Sequence, residues 1–147
     1  MSALHVVEPS SSEQFESYYS LRYEVLRKPW KQPLGSERDE SENEAVHAAI
    51  YHESGKCIAA GRLQKNNHLT GQIRFMAVDN NYRGLGLGKL IVGYLEQKAR
   101  EMGLNCIILQ ARENAVPFYE AMNYSVKEKT FLLFGEIQHY LMEKSLA

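Results

Sequence analysis

The chain is 147 residues long, with 17 basic and 18 acidic side chains and a formal net charge of -1. A hydrophobic content of 44% and a charged content of 24% are ordinary for a globular sequence, and the length suits one domain with its own core, taken as residues 1–147. The near-even charge leaves no electrostatic footprint for nucleic acid or an anionic membrane, so neither is expected as a partner.

The opening residues lack a basic segment followed by a long apolar one, so no secretory leader is expected, and no run is apolar enough to span a membrane. "LHVV" at 4–7 reads as a short strand. "SSSEQFESYYSLRYEVLR" reads as a helix with a Ser cap and apolar residues at Phe15, Tyr18, Tyr19, Leu21, Val25 and Leu26. Residues 28–45 are rich in Pro, Gly and charge and form the longest irregular stretch, the kind of loop that often carries function. "AVHAAIYHE" and "KCIAAGRLQK" flank an "SG" turn and predict a hairpin, and "GQIRFMAVD" adds a strand. Residues 87–102 predict a long helix with Leu87, Leu90, Ile91, Tyr94, Leu95 and Met102 inward and Glu96 outward, stopped at Gly103.

"NCIILQAR" reads as a strand buried on both faces. "ENAVPFYEAMNY" reads as a short helix capped by Asn114, with Pro117 in its first turn, and two more strands follow. The class is α/β (α+β): a mixed sheet with one β-α-β unit, not a doubly wound one. Cys57 and Cys106 have neither zinc-site nor redox-pair spacing, so they read as reduced core thiols of a cytoplasmic protein with no metal site.

"YRGLGLGKLI" at 82–91 lies between a strand and a helix, where unpaired amides and the positive helix end make an anion site. A nucleotide P-loop fails, because Leu90 follows Gly88-Lys89 and Arg83 stands where the first Gly belongs. The even spacing of Gly84, Gly86 and Gly88 also fits a dinucleotide fingerprint poorly. A third pattern, R/Q-x-x-G-x-G/A, is satisfied by Arg83 to Gly88. It resembles the coenzyme A pyrophosphate loop of the GCN5-related N-acetyltransferases (GNAT).

The resemblance covers nearly the whole chain. Asn114, Phe118, Tyr119 and Tyr124 match that family's N-x-x-A-x-x-F-Y-x-x-x-G-F segment, with Pro117 and Asn123 as departures. "SLRYEVLR", "ERDESENEAVH", "AAGRL" and "GEIQHYLMEK" are similar to pieces of the ElaA-like branch. That branch carries an Arg where this chain has Phe75; Arg74 is one place earlier, and a one-residue shift turns a strand side chain to the other face, so no substrate role carries over to it. The fold implied is a mostly antiparallel sheet of about six to seven strands flanked by about four helices.

The activity implied is transfer of an acetyl group from acetyl-CoA, a co-substrate used without a metal, to the primary amine of a small molecule, peptide or protein. Arg83, Gly84, Leu85, Gly86, Leu87, Gly88 and Lys89 would hold the pyrophosphate, with Asn114 a further coenzyme contact. Met76, Ala77 and Val78 would pair with the pantetheine arm, and the Val78 amide would act as oxyanion donor, a contribution of about 3 kcal/mol. Tyr119 would protonate the departing thiolate. His139, Glu136 and His47 are candidates to take the amine proton, directly or through water. Arg22 and His47 fall on the acceptor side, where the acidic residues Glu37, Asp39, Glu40, Glu42 and Glu44 could attract a cationic amine. A non-catalytic coenzyme A sensor and an interaction domain with a degenerate loop are the competing readings. A strand-mediated homodimer is compatible with all of them.

Overall fold

The Ser-rich run before residue 12 caps a helix. In the computed structural model, which describes residues 4–147, Ser11 accepts from the Gln14 amide while the Gln14 side chain reaches back to the Ser11 amide. The first three residues of the expected domain lie outside the described residues. This reciprocal box starts α1 (Ser12–Leu26), and its Tyr18, Tyr19 and Leu21 bury against the sheet. The predicted strand at 4–7 is reduced to one bridge: Val7 exchanges two 2.8 Å bonds with Ala49. Pro9 and the helix cap follow at once and leave no room for a ladder.

The predicted hairpin forms from β1 (Val46–Tyr51) and β2 (Cys57–Lys65), followed by β3 (Thr70–Val78). Then come α2 (Leu87–Glu101), β4 (Cys106–Arg112), the short α3 (Val116–Glu120), β5 (Ser125–Leu133) and β6 (Ile137–Ser145). The six strands lie in the order β1-β2-β3-β4-β6-β5, and only the β3–β4 pair is parallel. Three α-helices and four 3-10 turns accompany the sheet among the described residues. α2 covers one face over Ala48, Ile50, Ile58 and Leu63; α1 covers the other over Ala49, Cys57, Ala60 and Ala77. This alternation is the period-2 signature of strands buried on both faces.

Three local expectations need correction. The inward row of α2 is Leu87, Ile91, Leu95 and Ala99, with Val92 and Glu96 beside it. Leu90 is 46% exposed, because three residues from Leu87 it falls on the far side of that row, and Met102 is 39% exposed at the helix end. Glu96 is buried, where it accepts from Tyr124 Oη at 2.9 Å and pairs with Lys144 Nζ at 3.0 Å. Asn114 is no cap: it is exposed within a 3-10 turn (Glu113–Ala115), and α3 begins after Ala115 with no side-chain cap. β4 alternates rather than burying both faces, with Ile107, Leu109 and Ala111 fully inside.

Candidate active site

The glycine loop sits at the end of β3. Gly84 and Gly86 adopt φ of 83° and 77°, and a Cβ built on either would meet nothing within 4 Å. Packing therefore does not require them; the backbone path does, and it leaves an open approach to the main chain. Gly86 caps α2 with no side-chain hydrogen bond, so the first amides of the helix lack an intrahelical partner and face outward with Arg83 and Lys89 exposed. Gly88 differs. A Cβ there would lie 3.2 Å from Phe118 Cζ, so this glycine seats α2 against α3.

Beside the loop the sheet opens. β3 and β4 pair only from Thr70↔Cys106 to Ile73↔Leu109; Arg74 to Val78 have no partner on β4, while β4 stays paired to β6 along its whole length. The Asp79 amide donates to Ile58 O on β2, so the preceding Val78 amide, by strand alternation, points to the open side. A β-bulge deepens the opening. Ala60 pairs with Ala77 and Arg62 with Arg74, so Gly61 alone faces Phe75 and Met76. Phe75 takes the left-handed φ of 57°, a conformation that costs on the order of 1–3 kcal/mol in a bulky residue. Gly61 is required here, since a Cβ would lie 2.5 Å from Ile91 Cγ2 and 2.6 Å from Met76 Sδ. The bulge breaks alternation, and Arg74, Phe75 and Met76 all line the same cleft. Arg74 therefore shares the cleft with Phe75 despite standing one residue earlier in the strand, contrary to the expectation from strand alternation.

That cleft has a volume of about 340 Å³ and also receives Tyr119 from α3 and His139 from β6. Tyr119 is 7% exposed, contacts the Phe118 and Tyr124 rings edge-on, and its hydroxyl has no hydrogen-bond partner among the described residues. Burial raises its pKa above the ordinary tyrosine value, against the opposing field of Arg112, so it is held as a proton donor. His139 stacks on Phe131 at 4.6 Å, and its Nδ1 lies 2.9 Å from Ile137 O. A carbonyl only accepts, so Nδ1 carries the proton and Nε2 keeps its lone pair. Burial lowers the His139 pKa, with Arg112 adding to the effect, so the ring is neutral at physiological pH.

His47 is placed differently. It lines a separate hollow of about 600 Å³ beside Phe15 and Tyr19. Both of its nitrogens are engaged, Nε2 with Glu42 O at 2.7 Å and Nδ1 with Tyr18 Oη at 2.8 Å, so no lone pair is left for a substrate proton. Glu136 is exposed in the turn joining β5 to β6 and lines neither cavity. Arg22 is completely buried and also lines neither. Its two terminal nitrogens grip Glu42 at 2.9 and 2.8 Å, one also donates to Glu37 O, and its plane lies 3.9 Å over the Phe75 ring. Arg62, fully buried too, pairs with Asp39 and Glu42 at 2.6 and 2.8 Å, and Arg74 reaches Asp39 at 3.1 Å. Asp39 and Glu42 are thus spent on guanidinium groups, and none of the five acidic residues of the loop lines the Tyr119 cleft.

Sequence reasoning did not single out Arg27, Arg112, Trp30 or Phe131 as site residues, yet they form or flank the cleft. The lone Trp of the chain, in its longest loop, was the available signal.

A split parallel pair, a glycine loop at an uncapped helix start and a cleft that holds Tyr119 and His139 meet in one region of the sheet. The sequence model of the acetyltransferase (GNAT) family matches residues 13–124. The Bacillus subtilis (strain 168) protein YjcF, described as an uncharacterized N-acetyltransferase, is 34% identical over 142 residues, covering 96% of this chain and 99% of its own. The chain belongs to the GNAT acetyltransferase family, and it is an N-acetyltransferase. Two solved structures share the fold with equal closeness. Escherichia coli ElaA is 17% identical with a TM-score of 0.81, covering 98% of this chain and 99% of its own. An aminoglycoside 6'-N-acetyltransferase complexed with coenzyme A is 14% identical with a TM-score of 0.81, covering 97% of each chain.

Proposed function

We propose that the protein transfers an acetyl group from acetyl-CoA to a primary amine by direct attack on the thioester. The observation that carries this reading is the opening between β3 and β4, with the glycine loop following β3 and a cleft lined by Tyr119 and His139, whose hydroxyl and Nε2 have no partner among the described residues. The outward amides of Leu87, Gly88 and Lys89, with Arg83, would hold the pyrophosphate, and Asn114 would add a contact. The unpaired edge of Met76, Ala77 and Val78 would take the pantetheine arm. Coenzyme A bound by an aminoglycoside enzyme of the same fold supports coenzyme A as the ligand. Acetyl-CoA supplies the activated acyl group and the leaving thiol. His139 Nε2 takes a proton from the acceptor ammonium, which frees the nitrogen lone pair. The Val78 amide donates to the carbonyl oxygen as negative charge grows there. Tyr119 gives its proton to the sulfur as the carbon–sulfur bond breaks, and the second proton of the attacking nitrogen returns to the tyrosinate, leaving an N-acetyl product, a free thiol and one proton on His139 for release to water.

Two unpartnered proton-transfer groups in one cleft favour catalysis over a sensor role. A cytoplasmic setting belongs to the same proposal, supported by two free cysteines. No helix among the described residues is long and apolar enough to cross a membrane. A strand-mediated homodimer is also proposed, since the edge strand β5 exposes Val126 and Leu132.

The loop assignment is tested with Gly86→Glu. The side chain has room, but its charge sits where phosphate would, so coenzyme A binding by calorimetry is expected to fall by about a hundredfold or more. The positive φ adds a fold cost of about 1–2 kcal/mol. Unchanged affinity in the folded variant would remove the assignment. The base is tested by the pH profile of kcat/KM. With its folded pKa depressed, His139 should give an acid limb below pH 6.5, the ordinary value, and His139→Gln should abolish that limb. A limb above that value, or one retained in the variant, would point to another base.

A further inference from the structure

The cleft is unusual in its charge. Arg27, Arg74 and Arg112 line it, and no Asp or Glu is among its lining residues. Arg74 is answered by Asp39. The other two form no ion pair among the described residues: Arg27 donates to the carbonyls of Ser36 and Leu26 and feels Glu37 only through its field, and Arg112 makes no side-chain hydrogen bond. The Arg112 guanidinium lies 4.6 Å over the Trp30 ring, and Trp30 meets Phe134 at 6.4 Å. Arg27 packs 5.7 Å over the same Phe134, so both cations are gathered around one aromatic pair. The nearby carboxylates are committed elsewhere or turned away. Glu37 pairs with Arg38, Glu113 accepts from Tyr140, and Glu136 is exposed outside the cleft. Burial, and then the repulsion of neighbouring guanidinium groups, lowers the pKa of Arg27, Arg74 and Arg112, against the fields of Glu37 at Arg27 and of Asp39 and Glu40 at Arg74.

We infer that the amine acceptor carries an anionic group, a carboxylate or a phosphate, which Arg112 and Arg27 bind while the amine faces His139. This rests on the reading of the cleft as the acetyl-transfer site and narrows it to a substrate class. Two half-buried cations that form no direct ion pair among the described residues repel one another, and an anion between them removes that repulsion. The space is small. About 340 Å³ holds a compact acceptor beside the reacting thioester, and the Arg112 platform offers planar, two-point recognition suited to either oxyanion. The acidic loop residues that could have drawn a cationic amine are all outside this cavity.

The experiment is calorimetric titration of the protein, alone and saturated with coenzyme A, with O-phosphoethanolamine, β-alanine, ethanolamine and putrescine. At least one of the two anionic amines is expected to bind about tenfold or more tightly than ethanolamine and putrescine. Which of the two leads separates phosphate from carboxylate. Arg112→Ala, and independently Arg27→Ala, should erase that preference while changing coenzyme A affinity less than about twofold; melting curves check that each variant is folded. Equal or tighter binding of ethanolamine or putrescine would overturn the inference. So would a preference that survives both substitutions, or an Arg112→Ala defect confined to coenzyme A. A protein that binds the anionic amines but not coenzyme A would sink the acetyl-transfer reading instead, so the two failures are distinguishable.

Discussion

Tyr119→Phe is expected to lower kcat by at least about a hundredfold, the usual worth of a positioned general acid. The substitution is chemically narrow. It removes one hydroxyl that has no partner among the described residues and keeps the ring contacts with Phe118 and Tyr124. Deleting an unpaired buried hydroxyl is neutral or stabilising, so the melting temperature should hold or rise. Coenzyme A affinity should also hold, because the phosphate grip lies on the loop and not on α3. The pKa of Tyr119 is raised, so its proton is present throughout the working range and the acid limb assigned to His139 should persist in the variant. Steady-state kinetics with a fixed amine, alongside coenzyme titrations, check all three points. Turnover equal to the parent would give the proton-donor role to another group or to water.

The largest effect on stability is expected from Glu42→Ala. One carboxylate serves both fully buried guanidinium groups, with Arg22 Nη1 and Nη2 at 2.9 and 2.8 Å and Arg62 Nη1 at 2.8 Å, and it also accepts from Tyr19 and the Asp39 amide. Its loss leaves buried Arg22 with no carboxylate and only the Glu37 carbonyl, and leaves buried Arg62 to Asp39 alone. Breaking a buried pair in this way costs about 3–5 kcal/mol, out of roughly 5–15 kcal/mol for a whole domain. At this chain length that lowers the melting temperature by roughly 10 °C. Acid should act through the same groups. The Arg62 hydrogen bond holds the Asp39 pKa below 3.8. Burial pushes the Glu42 pKa upward, but Arg22 overrides it and leaves it below 4.5. A folded pKa lower than the unfolded one contributes stability above the unfolded value and loses it as pH falls through the folded one. The parent should therefore lose stability below about pH 4, and Glu42→Ala should show a flatter slope there in chemical denaturation.

Local chemistry was readable from the chain; long-range assembly was not. The Ser11 cap, the "SG" hairpin and the glycine turn from Arg83 to Gly88 all follow from short-range rules about capping, turns and glycine. The helix face was misjudged at Leu90 and Glu96, because helical spacing gives a period and not a phase, and Glu96 is drawn inward by Tyr124 and Lys144 from other elements. Asn114 looked like a cap because the chain turns there, but the turn is 3-10 and the helix starts after it. The charge network was hidden for a different reason. Arg22, Glu42 and Arg62 are about twenty positions apart, and what gathers them is the Phe75 bulge, a backbone feature that strand alternation argues against. His47 and His139 look alike in sequence, and only their hydrogen bonds separate a locked ring from one with a lone pair to use.

Trp30 is the only tryptophan in the chain, and it stands at the rim of the cleft between Arg112 and Phe134. Its indole is therefore an optical reporter built into the place where ligand recognition is proposed. Fluorescence from any other part of the molecule comes from tyrosine, at shorter wavelength. Emission colour and quenching can be read as the state of one small region, so coenzyme and acceptor occupancy can be followed in real time without attaching a dye.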